Sequence, residues 1–331
     1  MKKIGCALLS VLLLSSCGKP ADKDDKIKIG VSVYDSYDTF IGEMMIDFNA
    51  SVAGNENITV EVYNAAKSQQ TQNKQMQEMI ENGCDVICIN LVDRTSPKKI
   101  IDLAKKYNVP VVFFNRELVE EDLFQWEELY YVGADAAESG VIQGEIAANL
   151  FESGEADKNG DGIIQYIVLE GEAGHQDAIV RTERSVDTLI EKGYSVDKIA
   201  SAIANWSRSQ AQTRMAGFID SYGNEIELVL GNNDDMALGA IDAYKAAGIE
   251  KDAWPVILGV DGTGAGLQAI LNEEMSGTVF NDQKGQATAM ADLAIALATG
   301  GSLNELNLKN GRYIRVPYSR ITLENVKDYL D

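Results

Sequence analysis

The side chains best suited to hold a small molecule recur at one kind of place along this 331-residue chain, the carboxyl end of a predicted strand. Asp38 and Phe40 follow the first strand, Asn90 ends Cys88-Ile89-Asn90, and Asn115 ends Phe113-Phe114-Asn115. His175 and Asp177 follow Leu169-Glu170-Gly171, and Trp206 follows a later strand. Asn233 lies within Asn232-Asn233-Asp234, Asp261 ends Gly259-Val260-Asp261, and Asn281 follows Val279-Phe280. Carboxylates accept hydrogen bonds, a guanidinium such as that of Arg181 donates them, and side-chain amides do both. That mixture suits a neutral polyol, whose every hydroxyl is both donor and acceptor. Charged partners make the stronger bonds, and rings such as Phe40 and Trp206 can lie against the apolar faces of a pyranose. Each residue also has a plainer reading. Asn and Asp at strand ends serve as turn residues and helix caps, and Phe40 fits the apolar stripe of a helix.

A second cluster has the chemistry of a hard cation. Asp157-Lys158-Asn159-Gly160-Asp161-Gly162-Ile163-Ile164-Gln165 matches the start of an EF-hand loop. Ca²⁺ takes six to eight oxygens. Asp157, Asn159 and Asp161 offer side-chain oxygens, Ile163 a backbone carbonyl, and Gln165 stands at position 9. Position 12, normally a bidentate Glu, is Val168. The loop alone is therefore incomplete, and a solvated Asp/Asn/Gly turn is its plainer reading.

The elements that must carry these residues alternate. Strands are expected at Ile27–Val33, Ile58–Tyr63, Val86–Asn90, Val109–Phe114 and Leu129–Val132, with helices between. Phe40, Met44, Met45 and Phe48 form one helical stripe. Gln72 to Ile80 forms another, and Ser96-Pro97 predicts a helix start with Ser96 as its cap. The series then restarts, with strands at Ile164–Leu169, Lys198–Ala204, Ile226–Leu230, Val256–Val260 and Gly277–Phe280. Its helices are expected at 177–192, 209–222, 236–247 and 264–273. A helix over 286–298, a strand Tyr313–Val316 and a last helix over 323–330 complete the chain. Two βαβ series predict an α/β protein of two Rossmann-like lobes, with ligands beyond the carboxyl ends of the strands.

The composition is that of a globular protein, 45% apolar and 24% charged. A net charge of −22 repels phosphate backbones and excludes nucleic acid as a partner. Lys2, Lys3 and the apolar run Ile4–Leu14 read as a signal peptide over residues 1–16. Leu14-Ser15-Ser16-Cys17 is similar to the lipobox of bacterial lipoproteins, so Cys17 is expected to carry a lipid anchor, with 17–26 as a polar tether. Cys84 and Cys88 lie about 13 Å apart on one strand, too far for a disulfide. No G-x-S-x-G, Walker A or H-E-x-x-H motif favours an enzyme. The export signal and the lack of a helix-turn-helix segment before the first strand argue against a sugar-responsive repressor.

An ordered set of segments resembles the galactose/glucose-binding family of periplasmic binding proteins over nearly the whole chain. The segments are Tyr34…Asp38-Thr39-Phe40, Ile89-Asn90-Leu91-Val92-Asp93, Val111-Val112-Phe113-Phe114-Asn115, Tyr130-Tyr131-Val132-Gly133, Gly140-Val141-Ile142-Gln143-Gly144, Gly174-His175…Asp177…Arg181, Asn232-Asn233-Asp234, Gly259-Val260-Asp261 and Gly277-Thr278-Val279-Phe280-Asn281-Asp282. The resemblance implies the type I periplasmic-binding fold, two lobes joined by three crossover strands. The lobes would be 27–133 plus 284–316 and 134–283 plus 317–331. It implies a monomeric, exported substrate-binding protein that is not an enzyme and delivers D-galactose or D-glucose to an ABC permease and its ATPase. A chemoreceptor is a further partner in that family; ribose, xylose or a signalling sugar is the alternative ligand. The implied sugar contacts are Asp38, Phe40, Asn90, His175, Asp177, Arg181, Trp206, Asn233, Asp261 and Asn281, with Phe40 and Trp206 on opposite sugar faces. It also implies that Glu227 completes a structural Ca²⁺ site with Asp157, Asn159, Asp161, Ile163 and Gln165. Departures fall at Asp35-Ser36-Tyr37 and at Gln176, where the family often has proline.

Overall fold

The computed structural model describes residues 26–152, 154 and 156–330. The proposed signal, Cys17 and all but the last residue of the tether lie outside these. Short β-branched and aromatic runs form two parallel sheets, whose central strands are buried on both faces as their near-continuous apolar runs require. The first sheet is built from β1 (Ile27–Val33), β2 (Ile58–Asn64), β3 (Val86–Ile89), β4 (Val111–Phe114), β5 (Leu129–Gly133) and β11 (Tyr313–Arg315), in the order β11-β5-β4-β3-β1-β2. The second contains β6 (Ile163–Glu170), β7 (Ser195–Ile203), β8 (Leu228–Gly231) and β9 (Val256–Leu258), in the order β7-β6-β8-β9. β10 (Thr278–Asn281) pairs antiparallel with β12 (Tyr318–Ile321) and touches the β9 edge through the bridges Leu258–Gly277 and Asp261–Phe280.

Helices cover each sheet on both sides. On the first, α1 (Thr39–Val52) and α10 (Gln283–Thr299) pack with Phe48, Met44 and Met290 over one face. There α2 (Gln69–Glu81) and α3 (Lys98–Tyr107) bury Met76, Met79 and Ile101 over the other, while the one-turn α4 (Glu120–Leu123) adds Leu123. On the second, α5 (Ala136–Phe151) and α6 (Gln176–Glu191) cover one face. Its other face is covered by α7 (Arg208–Tyr222), α8 (Asp234–Ala246) and α9 (Gly264–Leu271). The chain passes between the sheets three times, from β5 to α5, from β10 to α10, and from β11 to β12. The result is the two-lobe α/β architecture expected from the alternating pattern.

Two local expectations are corrected, and two elements were not anticipated. Ser96 does not cap α3: Pro97 occupies the cap position without a side-chain bond, and the Ser96 hydroxyl turns back to donate to Asp93 at 2.8 Å. The last segment is not an α-helix but a single 3₁₀ turn, Val326–Tyr329. Strand β12 escaped notice because its alternation is short and follows Pro317. Helix α5 escaped notice because glycine and alanine blur its apolar stripe. Cys84 and Cys88 are free and buried, as their spacing along the chain requires.

Candidate functional site

The carboxyl ends of both sheets face one another across a narrow slot. Nine of the ten expected contact residues line it: Asp38, Phe40, His175, Asp177, Arg181, Trp206, Asn233, Asp261 and Asn281. Tyr34, Asn115 and Arg116 complete the wall. Asn90 does not line it. That side chain is fully buried, accepting from the Tyr34 N–H at 3.2 Å and donating to the Phe114 carbonyl and Asn115 Oδ1 at 3.2 and 3.0 Å. Asn90 is thus the brace that holds Asn115 in place, and the strand-end amide at the slot is Asn115.

Several wall residues do two jobs at once. Asp38 caps α1 by accepting from the Ile41 N–H at 3.0 Å, and its other oxygen accepts from the Tyr34 hydroxyl at 2.6 Å. Burial pushes the Asp38 carboxyl up from its usual range, against the Tyr34 bond that lowers it. Asn233 caps α8 through the Met236 N–H at 2.9 Å. The helix termini that these caps close point their partial positive charge at the slot, which favours the carboxylates gathered there. Phe40 is both core and wall, 6% exposed and packed with Met44 and Phe48.

His175 has a defined protonation state. Its Nδ1 accepts from the Asp177 N–H at 3.2 Å. Burial, together with the nearby cations Arg116, Arg181 and Arg94, lowers its pKa to about 3 against the pull of Asp177. The ring is therefore neutral with its proton on Nε2, a hydrogen-bond donor. Arg181 is held by the Asn232 carbonyl at 2.8 Å and the Tyr318 hydroxyl at 3.0 Å. Burial opposes its charge, but Tyr318, Asp177 and Asp261 raise its pKa and keep it charged. Helix α6 can bring Arg181 this close because α5 is smooth where they cross. A Cβ at Gly140 would lie 3.0 Å from the Arg181 carbonyl, and one at Gly144 would lie 2.5 Å from the Ser185 carbonyl.

Asp261 is a weakly paired wall residue. Its carboxyl is 6% exposed, and burial pushes its pKa well up despite Arg181. Among the described residues its one side-chain hydrogen bond is a long one, from Asn281 Nδ2 at 3.5 Å. Three slot residues also carry positive φ, Asn115, Trp206 and Asp261 at 58°, 61° and 129°, a cost that surrounding structure must hold in place. The Trp206 indole lies on the bare Cα of Gly171, where a Cβ would come within 2.1 Å of the ring, and meets His175 edge-on at 5.0 Å. Tyr34, Arg116 and Tyr318 were missed by sequence reasoning. Only the run Asn115-Arg116 after a strand could have flagged the arginine.

Away from the slot, the loop before β6 gathers oxygen donors. Glu227, fully buried, accepts from the N–H groups of Lys158 at 2.8 Å and Asn159 at 3.3 Å through Oε1, and from Gln165 N–H at 3.4 Å through Oε2. Asp157 accepts from Gly160 and Gly162, and Asp161 from Ile163 and from Gln165 Nε2. Among the described residues no three His, Cys, Asp or Glu side chains form a metal cluster. The donors are instead a mixture of carboxylate, amide and carbonyl oxygens, as hard cations use. Glu227 has no ion-pair partner among the described residues, so a buried carboxylate faces this loop with a spare lone pair on Oε2. The donor set fits Ca²⁺.

The profile of the periplasmic binding protein domain matches residues 29–302. The D-galactose/methyl-galactoside binding periplasmic protein MglB of Haemophilus influenzae is 37% identical over 310 residues, 92% of this chain and 92% of that protein. A putative rhizopine-binding protein of Rhizobium meliloti is 29% identical over 331 residues, 99% of each. A crystal structure of an ABC transporter solute binding protein from Bacillus halodurans with bound myo-inositol superposes with a TM-score of 0.79 at 28% identity, covering 93% of this chain and 98% of that one.

Proposed function

The chain belongs to the periplasmic binding protein family, and on that premise we propose that it is the substrate-binding protein of an ABC-type sugar importer. In this reading it takes one monosaccharide, D-galactose or D-glucose, into the interlobe slot and delivers it to a membrane permease and its ATPase. Export with a lipid on Cys17 belongs to the same proposal. Among the described residues no helix is long and apolar enough to cross a membrane.

The observation that carries this reading is the unfinished hydrogen bonding of the slot. Asp261 has one weak partner, Asp177 a single bond to Arg181 at 3.4 Å, and Asn233 Nδ2 a bond at 3.5 Å. Beside them, His175 Nε2 has no hydrogen-bond partner among the described residues. Weakly paired donors and acceptors gathered in one slot call for a polar partner that completes their bonds. A ring bearing several hydroxyls does so, with Trp206 and Phe40 against its two faces. The lowered pKa of His175 suits a donor rather than a catalytic base. A related cyclic polyol is the second reading, favoured by the myo-inositol held by the Bacillus halodurans relative.

The proposal extends to a structural Ca²⁺ held by Asp157, Asn159, Asp161, Gln165 and Glu227 with the Ile163 carbonyl. The ion would supply the positive charge that Glu227 lacks. Calorimetric titration with a panel of monosaccharides and inositols tests the main reading. A saturable, one-site isotherm for galactose or glucose supports it, and no binding to any hexose refutes it.

A further inference from the structure

Polar contacts tie the two walls of the slot together at its rim. Arg94, on the first lobe, donates from Nη2 to Gln176 Oε1 on the second at 2.6 Å. Its Nε is pinned on its own lobe by the Glu117 carbonyl at 2.6 Å, and Glu117 pairs with Arg315. Nearby, Arg116 Nη2 meets Glu172 Oε2 at 2.9 Å, and Lys67 reaches the same carboxylate at 3.6 Å. The loop from Glu172 to Gln176 is therefore gripped at both ends by arginines of the facing lobe. Between those grips sits His175, and directly after them comes Asp177.

Arg94 differs from Arg116 in one respect that matters. Arg116 lines the slot and stacks 3.4 Å over the Tyr34 ring, whereas Arg94 does not line the slot. Gln176 carries the acceptor that a proline at that position would lack. We propose that Arg94 is a positioning residue: by hydrogen-bonding Gln176 it latches the closed slot, holds His175 and Asp177 against the ligand, and sets how long the ligand stays. The inference rests on the sugar-binding reading for its ligand, not for the latch itself. A guanidinium already fixed by Glu117 loses little freedom when the bond forms. The bond exists only after closure, so it acts on release and not on encounter. A charge-assisted hydrogen bond, discounted for the solvent screening at a half-buried rim, amounts to about a threefold to tenfold change in rate.

The test uses the whole chain in two arms. In the first, stopped-flow fluorescence follows galactose or glucose release from wild type, Arg94→Ala, Gln176→Ala, the double variant and Gln176→Glu. Release should quicken about threefold to tenfold in either alanine variant, with the association rate no lower than in wild type and the double variant no faster than the singles. Gln176→Glu, which turns the contact into an ion pair, should slow release. In the second arm, dyes on Lys99→Cys and Glu183→Cys report the lobe separation without sugar. Arg94→Ala should lower the closed fraction. If the wild type binds neither hexose, the sugar reading fails while the second arm still decides the latch. Additive losses in the double variant, unchanged release and closed fraction in Arg94→Ala, or a wild type that never closes would each overturn it.

Discussion

Gly171→Ala gives the sharpest test of how the slot is built. The new Cβ would sit 2.1, 2.2 and 2.4 Å from three atoms of the Trp206 ring. Carbon atoms in ordinary contact stand about 3.5–4.0 Å apart, so the indole must move by roughly 1.5 Å. It cannot slide freely, because Asn205 and Trp206 already hold left-handed backbone angles of 52° and 61° and His175 stands edge-on at 5.0 Å. The ring therefore tilts into the space a sugar face would occupy. Covering about 40–50 Å² of apolar surface contributes about 1 kcal/mol, and the lost ring geometry adds about 0.5–1 kcal/mol. Hexose affinity should fall about tenfold to thirtyfold, measured by calorimetry, with the fold preserved by circular dichroism. Gly217→Ala is the control: it lies in α7 with nothing within 4 Å of its added Cβ. That change should raise stability by up to about 1 kcal/mol and leave affinity alone. If Gly171→Ala binds galactose and glucose as tightly as Gly217→Ala, Trp206 is not a wall of the sugar site.

Asp261→Ala should weaken hexose binding about tenfold to a hundredfold, and Trp206→Ala should also abolish the fluorescence change on binding; titration of both variants checks this. Trp254, 9% exposed and bonded through its indole N–H to the Ile249 carbonyl at 2.8 Å, belongs to the core. Its alanine variant should lose about 3–5 kcal/mol of stability in urea unfolding without losing specificity. Closing buries a neutral His175, so the closed form gains from this group above the ordinary histidine pKa near 6.5 and loses that gain as pH falls toward 3. The affinity of wild type relative to His175→Gln should therefore drop by up to about thirtyfold between pH 7.5 and pH 5; a flat ratio refutes the assignment. Ca²⁺ at a hundredfold excess over its Kd should add about 2.7 kcal/mol of stability, visible as a chelator-sensitive Tm that Asp161→Ala removes. Small-angle scattering should show a smaller radius of gyration with sugar, and an unchanged radius at saturation refutes closure.

The elements were legible because their signals are local. A β-branched run such as Ile27–Val33, or the stripe Phe40, Met44, Met45, Phe48, states its period within a few residues, and every one of these four is buried on α1. The general place of the site was legible too, since parallel strands point their carboxyl ends the same way. What sequence could not rank was which strand-end amide faces the slot. Asn90 and Asn115 read alike, each closing an apolar strand. The tertiary structure separates them: β3 lies between β1 and β4, so the Asn90 side chain meets Tyr34, Phe114 and Asn115 and spends its bonds there. Asn115 turns left-handed and reaches the slot. Likewise Tyr318, 137 residues from Arg181, becomes its partner only because β12 returns beside the second lobe. Periodicity records what a residue does within its own element. Which groups meet across 100 residues or more depends on the packing of helices such as α5 and α6, and that is decided only when the chain is folded.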